Sequence, residues 1–556
     1  MLKGVFDNSN GQLTAEGASA VSSQGILQVY FSGILFNRDE LAHEGENDAD
    51  TVARLYQEKG DNAFEQLNGP FAIAISDGKQ LLLVRDQVGQ KFLFFKCDGG
   101  LVHFSEELNE YASHAEKDWQ ALADYLSLGY VPAPRTAWKG VSKLRNGEIV
   151  AFRDGVQSAR FFWSPSFETQ AELSMEEAQD KAKALIIKAI RRCLAYDGQP
   201  GFLLSGGIDS NLLLGLTSET APNSYKAFTV GFADPKYDER YLAGLSAKRA
   251  DAQHITQQVE PSVFEEFLQM LKSSGEPFAD SSLLPDYCAM KLAAAHCKSV
   301  FMGDGGDELF GGYRRYRIMA LRGRLGEALS RLGGGIASAV AKLLPHASEG
   351  RTSLSTFTRL AKAMSLPPVP CYASFQELFS PCDVKTLAPE LASQTESYHD
   401  RWQEIYDCIS GVNGVNLIDM HYYLPDDGCR KEGIAASAAG VLPLAPILDM
   451  DVFRFVLQLP VDYKLNLRQG KLLLRQIGKD FLHPEITRQV KRGFGMPVAS
   501  WLRSELKDYV LNLPAELESF GCFDRKAVET IVAEHLNGRC DHGARIWALL
   551  CLAQWK

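Results

Sequence analysis

The 556-residue sequence lacks the features that mark membrane proteins, disulfide-stapled proteins and nucleic-acid binders. No apolar run is long enough to span a bilayer, and the first residues have no signal-peptide core. The eleven cysteines are scattered from Cys97 to Cys551 without a Cys-x-x-Cys pair, which predicts neither a zinc site nor a disulfide framework. A formal net charge of -11 argues against a nucleic-acid partner. We therefore expect reduced, mostly buried thiols in a cytoplasmic protein without membrane or nucleic-acid partners.

The chain is rich enough in apolar residues to build large cores, since 46% of it is hydrophobic and 23% is charged. This length predicts about two to four domains. Residues 1–165 contain short strand patterns, whereas residues 175–556 begin with alternating helix and strand patterns. Serine, proline and glutamate between Ser164 and Ser174 predict a linker. No internal repeat or low-complexity tract is visible.

Short apolar runs between turn residues characterise the first 165 residues. The predicted strands are Ile26–Phe31, Pro70–Ile75, Leu81–Val84 and Phe92–Phe95. Helical patterns cover Ala49–Lys59 and Trp119–Leu128. Helices combined with mostly sequential strands predict α+β sheet layers.

The region after residue 175 reads as a doubly wound α/β core. Its first helix is predicted at Met175–Leu194, and the predicted strands are Gly201–Leu204, Tyr225–Phe232, Ile255–Val259 and Ser299–Met302. Ligands of such sheets bind at the C-terminal ends of the strands. The chain after Arg314 is predicted to be mainly helical.

The stretch Ser205-Gly206-Gly207-Ile208-Asp209-Ser210 follows the first of these strands and opens a helix. Such a loop presents backbone N–H groups at the positive end of a helix dipole, which suits an anion. Ser205 and Ser210 add hydroxyl groups, and Asp209 is a carboxylate that could bring a metal ion to phosphate oxygens. The alternative is an ordinary glycine-rich turn with a serine cap.

A second loop, Gly303–Tyr313, follows the predicted strand that ends at Met302. It contains two glycine pairs and three acidic residues, among them Asp304 and Asp307. The glycines allow close approach of the backbone to a ligand, and the carboxylates exceed what a turn needs. Solvated surface charge is the alternative interpretation.

Both loops resemble those of the glutamine-hydrolysing asparagine synthetase family. The segments Asn68–Ala72, Arg85–Lys91 and Phe104–Leu108 look like the glutaminase domain of the same family. The resemblance covers nearly the whole chain. It implies an N-terminal-nucleophile-type two-sheet sandwich, followed by an ATP-pyrophosphatase-type doubly wound parallel sheet with a helical C-terminal region.

The resemblance also implies ATP and Mg²⁺ as cofactors and assigns roles to the two loops. By analogy with the family, Asp209 and Asp307 hold Mg²⁺ on the pyrophosphate, and Asp304 transfers a proton or orients the reacting groups. The residues that match nucleotide-binding positions are Ser205, Gly206, Gly207, Asp209, Ser210, Val230 and Gly303.

Lys491 aligns with the family's mobile catalytic lysine, which stabilises the charge that develops on pyrophosphate. Its neighbours Arg492 and the Gly493-x-Gly495 pair suit a closing cationic clamp. A basic loop that faces solvent is the alternative.

The chain departs from the family at the expected glutaminase site. In the family, a cysteine after the initiator Met attacks glutamine; aligning on Gly4–Asp7 places that cysteine before Met1, and neither Met1 nor Leu2 is a nucleophile. The family's Asn-Gly-Glu substrate clamp matches Ser32-Gly33-Ile34, which has neither the amide nor the carboxylate. We therefore expect a retained scaffold without glutaminase activity.

A second departure lies on the expected substrate side. The family's Asp-Arg and Glu-x-Arg pairs match Gly433–Ala436 and Leu442–Pro446, so several charges are replaced by small or apolar residues. A pocket for free aspartate should keep charged partners for two carboxylates and an ammonium. Neutral drift in a helix-packing segment is the alternative.

The sequence thus predicts an ATP- and Mg-dependent ligase that adenylates a carboxylate and lets a substrate amine displace AMP. Relatives with an inactive glutaminase include lasso-peptide macrolactam cyclases and β-lactam synthetases, and the apolar wall favours a cyclase acting on a peptide. A leader-peptide-processing protein is then a candidate partner. Alternatives are an asparagine synthetase or related amidotransferase using ammonia, a β-lactam synthetase acting on a small molecule, and a non-catalytic scaffold.

Overall fold

The computed structural model describes residues 1–112, 115–167, 173–332, 360–392, 397–488 and 495–555, with the side chains of residues 326–332 left out. The strands, numbered in chain order, are β1 (Lys3–Asp7), β2 (Gln12–Glu16), β3 (Ala20–Gln24), β4 (Leu27–Gly33), β5 (Phe71–Ser76), β6 (Gln80–Arg85), β7 (Phe94–Asp98), β8 (Leu101–Ser105), β9 (Val141–Lys143), β10 (Glu148–Arg153), β11 (Val156–Phe161), β12 (Gly201–Leu203), β13 (Lys226–Gly231), β14 (Gln253–Gln258), β15 (Ser299–Phe301) and β16 (Leu442–Leu444).

The α-helices whose bounds are defined are Arg38–Leu41, Asp48–Lys59, Asn109–Ala112, Trp119–Leu128, Met175–Tyr196, Ile208–Thr220, Arg240–Arg249, Phe264–Ser273, Leu283–Ala294, Gly306–Leu309, Arg314–Leu332, Pro368–Ala373, Pro381–Leu387, Pro389–Ala392, Tyr398–Cys408, Gly411–Ile418, Cys429–Ala439, Met450–Leu457, Val461–Lys464, Leu472–Ile477, Pro484–Thr487, Val498–Arg503, Lys507–Glu518, Arg525–Leu536 and Gly543–Gln554. Short 3₁₀ turns occupy Gly60–Gln66, Pro261–Val263, Pro446–Leu448 and Gly478–Asp480, and a π-helix spans Asp419–Gly428.

Two antiparallel sheets form the N-terminal sandwich. Their strand orders are β2-β1-β8-β7-β9 and β11-β10-β6-β5-β4-β3. Every residue of β5 is buried because the strand packs on both faces. Ala72 and Ala74 belong to the core that also includes Phe6 and Phe104 of the first sheet, whereas Ile73 packs in the core of the helix Asp48–Lys59. This confirms the predicted two-sheet sandwich.

The third sheet is parallel throughout, with the order β14-β13-β12-β15-β16. Apolar cores cover both of its faces: Phe228 of β13 packs in one, and Phe202 of β12 packs in the other. The strand order reverses between β12 and β15, so the segments after these two strands meet at the edge where such sheets bind ligands. The predicted doubly wound sheet and helical C-terminal region are confirmed.

One predicted strand is displaced. The sequence predicts Phe92–Phe95, but β7 begins at Phe94. The guanidinium of Arg85 donates to the carbonyls of Lys91 and Gly89 at 2.6 and 2.7 Å, and it stacks over the Phe92 ring. These contacts hold the preceding residues in a loop, so their apolar side chains are buried without pairing in the sheet.

The sandwich and the parallel sheet are joined by buried polar contacts. Lys143 Nζ lies 3.0 Å from Glu276 Oε1, and both side chains are nearly inaccessible. In the π-helix, Asp426 Oδ2 accepts a hydrogen bond from the backbone N–H of Ala133 at 2.6 Å. The domain boundary near residues 165–175 stays a prediction, because residues 168–172 lie outside the described part of the chain.

All eleven cysteines are free thiols; five of them are buried and three are half-buried. Within the described ranges, no helix has both the length and the apolar character needed to cross a bilayer.

Candidate active site

The loop after β12 is held by its own side chains. Ser205 and Ser210 place their hydroxyl oxygens 3.3 Å apart, and the Gly207 N–H donates to Ser205 Oγ at 3.1 Å. The amide of Asn211 donates to the carbonyl of Ser205 at 2.8 Å. The helix Ile208–Thr220 starts directly after this turn, without a side-chain cap on its first N–H groups. The loop therefore has the rigid, N–H-rich form expected for anion binding.

A small cavity of about 230 Å³ opens in front of this loop. Gly206 and Gly207 form part of its wall, together with Tyr237 and Glu239, whose carboxylate accepts the Gly206 N–H at 3.0 Å. The basic residues that line it are Lys236, Arg317, Arg468, Lys471, Arg475 and Arg488. So many cations around a volume of this size suit a polyphosphate.

Lys471 is the buried cation of this cavity, with 4% of its surface exposed. Its ammonium contacts Asp209 Oδ2 and lies 2.8 Å from Asp307 Oδ1. Burial lowers the pKa of Lys471, but the attraction of Asp209 and Asp307 outweighs it and raises that pKa above its usual value. Carboxylates from the two predicted loops thus converge on one positive charge.

The glycines of the second loop make room for these carboxylates. A Cβ added at Gly306 would lie 2.4 Å from Asp209 Cγ, and one at Gly312 would lie 1.9 Å from Asp307 Oδ1. At Gly303 an added Cβ would lie 2.8 Å from the Cβ of Asp209. The sequence predicts close approach of the backbone to a ligand; in the structure these three glycines are needed for the close approach of the two aspartates.

Asp304 lies on the other side of the same loop. It lines a larger cavity of about 820 Å³, whereas Gly312 at the end of the loop lines the small one. Burial raises the pKa of Asp304 to about 6; Lys431 opposes this rise, and Asp286 and Asp209 add to it. The loop after β15 therefore lines both cavities: it contributes Asp304 to the large one and Gly312 to the small one, where its Asp307 contacts the lining residue Lys471.

Both halves of the chain line the large cavity. Met1, Ser32, Gly33, Ile34, Pro70 and Glu106 come from the sandwich, and Asp304, Arg430, Glu432, Gly433, Ile434, Ala436, Val441 and Leu442 come from the later region. The apolar segment on the expected substrate side is therefore a cavity wall. It borders the same open volume as Asp304.

Glu432, which lines this cavity, nevertheless belongs to a group of charged side chains behind the cavity wall. Lys431 Nζ lies 3.1 Å from Asp286 Oδ2, 3.5 Å from Glu432 Oε1 and 3.8 Å from Asp280 Oδ2. Burial raises the pKa of Glu432 well above its usual value, and the charges of Asp304 and Asp286 add to the rise. The sequence-based expectation of a substrate side depleted of charge is thus only partly met.

The remaining predicted site residues lie in different places. Val230 of β13 is buried in the core, and it is not among the described residues that line either cavity. Lys491 lies outside the described residues, within 489–494. Arg488 and Gly495, the described residues on either side of that segment, both line the small cavity.

Sequence reasoning gave no role to Lys471, Glu432 or the arginines of the small cavity. In the sequence, Lys471 is a single lysine before three leucines, and Glu432 is one acidic residue next to Lys431. Neither surrounding predicts a site. The arginines come from distant parts of the chain, so no local pattern groups them.

Asp209 and Asp307 together form a place that suits a cation such as Mg²⁺. Their oxygens already converge on a cation, and carboxylate oxygen is the ligand that Mg²⁺ takes from proteins. Among the described residues, no group of three or more His, Cys, Asp or Glu is arranged to hold a metal ion. Mg²⁺ commonly binds through one or two carboxylates and takes its other ligands from water and phosphate, so the pair fits.

Family models match both parts of the chain. The model described as asparagine synthase matches residues 181–556, and the one described as glutamine amidotransferase domain matches residues 13–163. These matches define an ATP-dependent carbon–nitrogen ligase that forms AMP and pyrophosphate. The chain belongs to the asparagine synthase family.

Relatives extend over nearly the full length. Asparagine synthetase [glutamine-hydrolyzing] 1 of Bacillus subtilis is 26% identical over 95% of this chain and 85% of the relative. A putative asparagine synthetase of Mycobacterium bovis is 28% identical over 94% and 83%. A solved glutamine phosphoribosylpyrophosphate amidotransferase from B. subtilis, complexed with ADP and GMP, covers 55% of this chain and 75% of its own at 11% identity. Its TM-score of 0.21 supports no argument.

Proposed function

We propose that this ligase joins an activated carboxylate to an amine carried by its own substrate, as a lasso-peptide macrolactam cyclase does. The observation that carries the proposal is the cavity of about 820 Å³ beside Asp304. A water-sized molecule such as ammonia occupies roughly 30 Å³, whereas cavities of this volume hold ligands of drug or short-peptide size. The apolar wall from Gly433 to Leu442 suits such an occupant.

The sandwich end of the cavity supports the same proposal. The end of β4 lines it with the hydroxyl of Ser32, the bare backbone of Gly33 and the apolar side chain of the following Ile34. A glutamine clamp needs an amide or carboxylate at such positions to hold the charged ends of the amino acid. We infer that this chain does not hydrolyse glutamine.

The small cavity supplies the activation half of the reaction. The basic residues around Lys471 bind the phosphates of ATP, next to the first N–H groups of the helix Ile208–Thr220, which no side chain caps. Asp209 and Asp307 would hold Mg²⁺, which neutralises phosphate charge when bound. The substrate carboxylate attacks the α-phosphate, pyrophosphate leaves, and the amine then displaces AMP.

Asp304 and Lys491 complete the proposal. Asp304 orients the reacting carboxylate between the two cavities, and its raised pKa of about 6 lets it exchange a proton near neutral pH. Lys491 closes over the pyrophosphate from the segment between Arg488 and Gly495. A peptide substrate would come from a partner that recognises and trims a leader segment.

A second candidate is an asparagine synthetase that uses ammonia. The charged group around Lys431 favours it, because Lys431 and its acidic neighbours could hold the two ends of an amino acid. The relatives that match nearly the whole chain are also named asparagine synthetases.

One assay separates the candidates. The purified protein with ATP and Mg²⁺ is given glutamine alone, then aspartate with ammonium, then linear peptides with a free N-terminal amine and an internal Asp or Glu. We expect no glutamate from glutamine and a peptide that loses the mass of one water. Asparagine formation without peptide cyclisation would favour the second candidate, and glutamate release would contradict the inactive glutaminase. Asp307→Asn serves as the blank for ATP-dependent turnover.

A further inference from the structure

Glu432 and Asp304, which line the large cavity, belong to a group of carboxylates that outnumbers the one ammonium among them. Lys431 lies within 3.8 Å of Asp280, Asp286 and Glu432, and Asp304 acts electrostatically on the same group. One ammonium thus faces four carboxylates in a buried place. Uncompensated buried charge is costly, so the group favours either protonation or a further cation.

Glu432 is the member of this group best placed to meet a ligand. It lines the large cavity, and only 7% of its surface is exposed. Its Oε1 lies 3.5 Å from Lys431 Nζ, whereas its buried Oε2 has no hydrogen-bond partner among the described residues. A buried carboxylate oxygen without a partner costs folding free energy, which a hydrogen bond from a ligand's N–H group would recover.

We propose that Glu432 binds the substrate's amine as an ammonium ion in the large cavity and accepts its proton when the amide bond forms. This assignment rests on the proposed function for the identity of the reaction. The nitrogen lone pair forms a bond to the acyl carbon, the bond from that carbon to the AMP oxygen breaks, and AMP leaves with the bonding electrons. The ammonium nitrogen carries two protons more than the amide nitrogen does. It gives the first to Glu432, which frees the lone pair for the attack, and the second goes to the departing phosphate of AMP.

The electrostatics around Glu432 suit a proton acceptor. Lys431, on the same helix, holds one oxygen, while Asp304 from the loop after β15 and Asp286 from the helix Leu283–Ala294 repel its charge. Burial and this repulsion raise the pKa of Glu432, so it takes up a proton more readily than an exposed glutamate does. A carboxylate of raised pKa is a better base towards an ammonium nitrogen near neutral pH.

The binding part is tested with n-butylammonium and its uncharged counterpart n-butanol, by saturation-transfer NMR on the full chain without ATP. We expect Glu432→Gln to weaken the binding of n-butylammonium at least tenfold and to leave the binding of n-butanol unchanged. Glu107→Gln is the matched control, because Glu107 lines the same cavity from the sandwich. Equal affinity of n-butylammonium for the wild type and Glu432→Gln would overturn the proposal.

The proton-accepting part is tested with two nucleophiles on whichever carboxylate the activity assay identifies. Methylammonium must lose a proton to react, whereas hydroxylamine is already neutral at neutral pH. We expect Glu432→Gln to lower the rate of amide formation with methylammonium by about 10²-fold. The variant should keep the wild-type rates of hydroxamate formation and of pyrophosphate release. An equal loss with both nucleophiles would overturn proton acceptance.

Two controls keep these results interpretable. Circular dichroism melting checks that Glu432→Gln is folded, and Glu432→Asp should restore part of the binding if the charge matters. Because the NMR assay uses neither ATP nor peptide, it can fail while peptide cyclisation succeeds, and it can succeed while cyclisation fails. The two proposals are therefore separable.

Discussion

The two cavities differ in origin as well as in charge. The small one is built from residues after 205 and is lined by six basic side chains. The large one takes its walls from both halves and mixes acidic residues, among them Glu106, Asp304 and Glu432, with the basic residues Lys91, Lys298 and Arg430. The basic lining of the first suits a polyphosphate. The second has the volume for a larger organic ligand. In the proposed function, activation of the carboxylate and binding of the amine therefore fall on opposite sides of one loop.

The largest expected effect falls on the small cavity. Asp307→Asn removes one of the two carboxylates that converge on the Lys471 ammonium, and we expect pyrophosphate release to fall by roughly 10³-fold. Asp61→Asn is the control, because Asp61 pairs with Arg160 on the surface of the sandwich. Full turnover by Asp307→Asn with an authentic substrate would remove the metal role assigned to this side.

The next test fills the large cavity. A Cβ added at Gly433 has no atom within 4 Å, so Gly433→Phe can extend into the cavity without a clash near the backbone. We expect peptide cyclisation to fall roughly 10²-fold, because the reacting groups no longer align, while hydroxamate formation from hydroxylamine persists.

Gly433→Ala controls for the loss of glycine at that position. If Gly433→Phe cyclises peptide as fast as Gly433→Ala does, the cavity is not the peptide site.

A third test asks whether Lys471 occupies a cation site. Lys471→Met removes the ammonium from between Asp209 and Asp307, which should destabilise the fold by about 3–5 kcal/mol. Mg²⁺ without nucleotide should then raise the melting temperature of the variant by several degrees, and that of the wild type by less. Scanning calorimetry with and without Mg²⁺ measures the difference.

Lys464→Met is the matched control. Lys464 is as buried as Lys471. Burial alone shifts the pKa of Lys464, which it lowers to about 7. Mg²⁺ should therefore shift the melting temperatures of Lys464→Met and the wild type equally. A larger Mg²⁺ shift for Lys464→Met than for Lys471→Met would contradict the assignment.

The smallest expected effect concerns pH. The pKa of Asp304 rises from 3.8 to about 6 on folding, so between these values the folded state binds more protons than the unfolded state. The resulting stability is present below about pH 4 and is lost as pH rises through 6, by at most about 3 kcal/mol. Urea denaturation at several pH values measures the free energy of unfolding, and Asp304→Asn should make this free energy depend less on pH between about 4 and 6. The same pH dependence in the variant and the wild type would show that Asp304 titrates normally.

The sequence predicts the framework better than it predicts the site. The helix Trp119–Leu128 has the predicted bounds, and the starts of Met175–Tyr196 and β12 are as predicted, because local apolar periods determine these elements. β7 is displaced because Arg85, from another strand, organises the residues before it.

Contacts across the fold explain what the sequence could not show. Nothing near Lys471 in the chain indicates that its ammonium reaches Asp209, which is 262 positions away. The role of Gly306 depends on the same aspartate, which packs against it from the other loop. Only the assembled sheet brings these residues together.

The π-helix places neighbouring residues in two different environments. Asp426 binds the backbone of Ala133 and lies 3.8 Å from Arg85, whereas Asp427 responds to the charges of Asp280 and Lys431. The contact that joins the sandwich to the later region and the carboxylate that neighbours Lys431 therefore belong to adjacent residues. A chimaera that exchanges the first half of this chain for that of a relative should carry over Arg85 and the Ala133 turn. Without them, the graft would disturb the surroundings of Asp427 as well as the contact between the two halves.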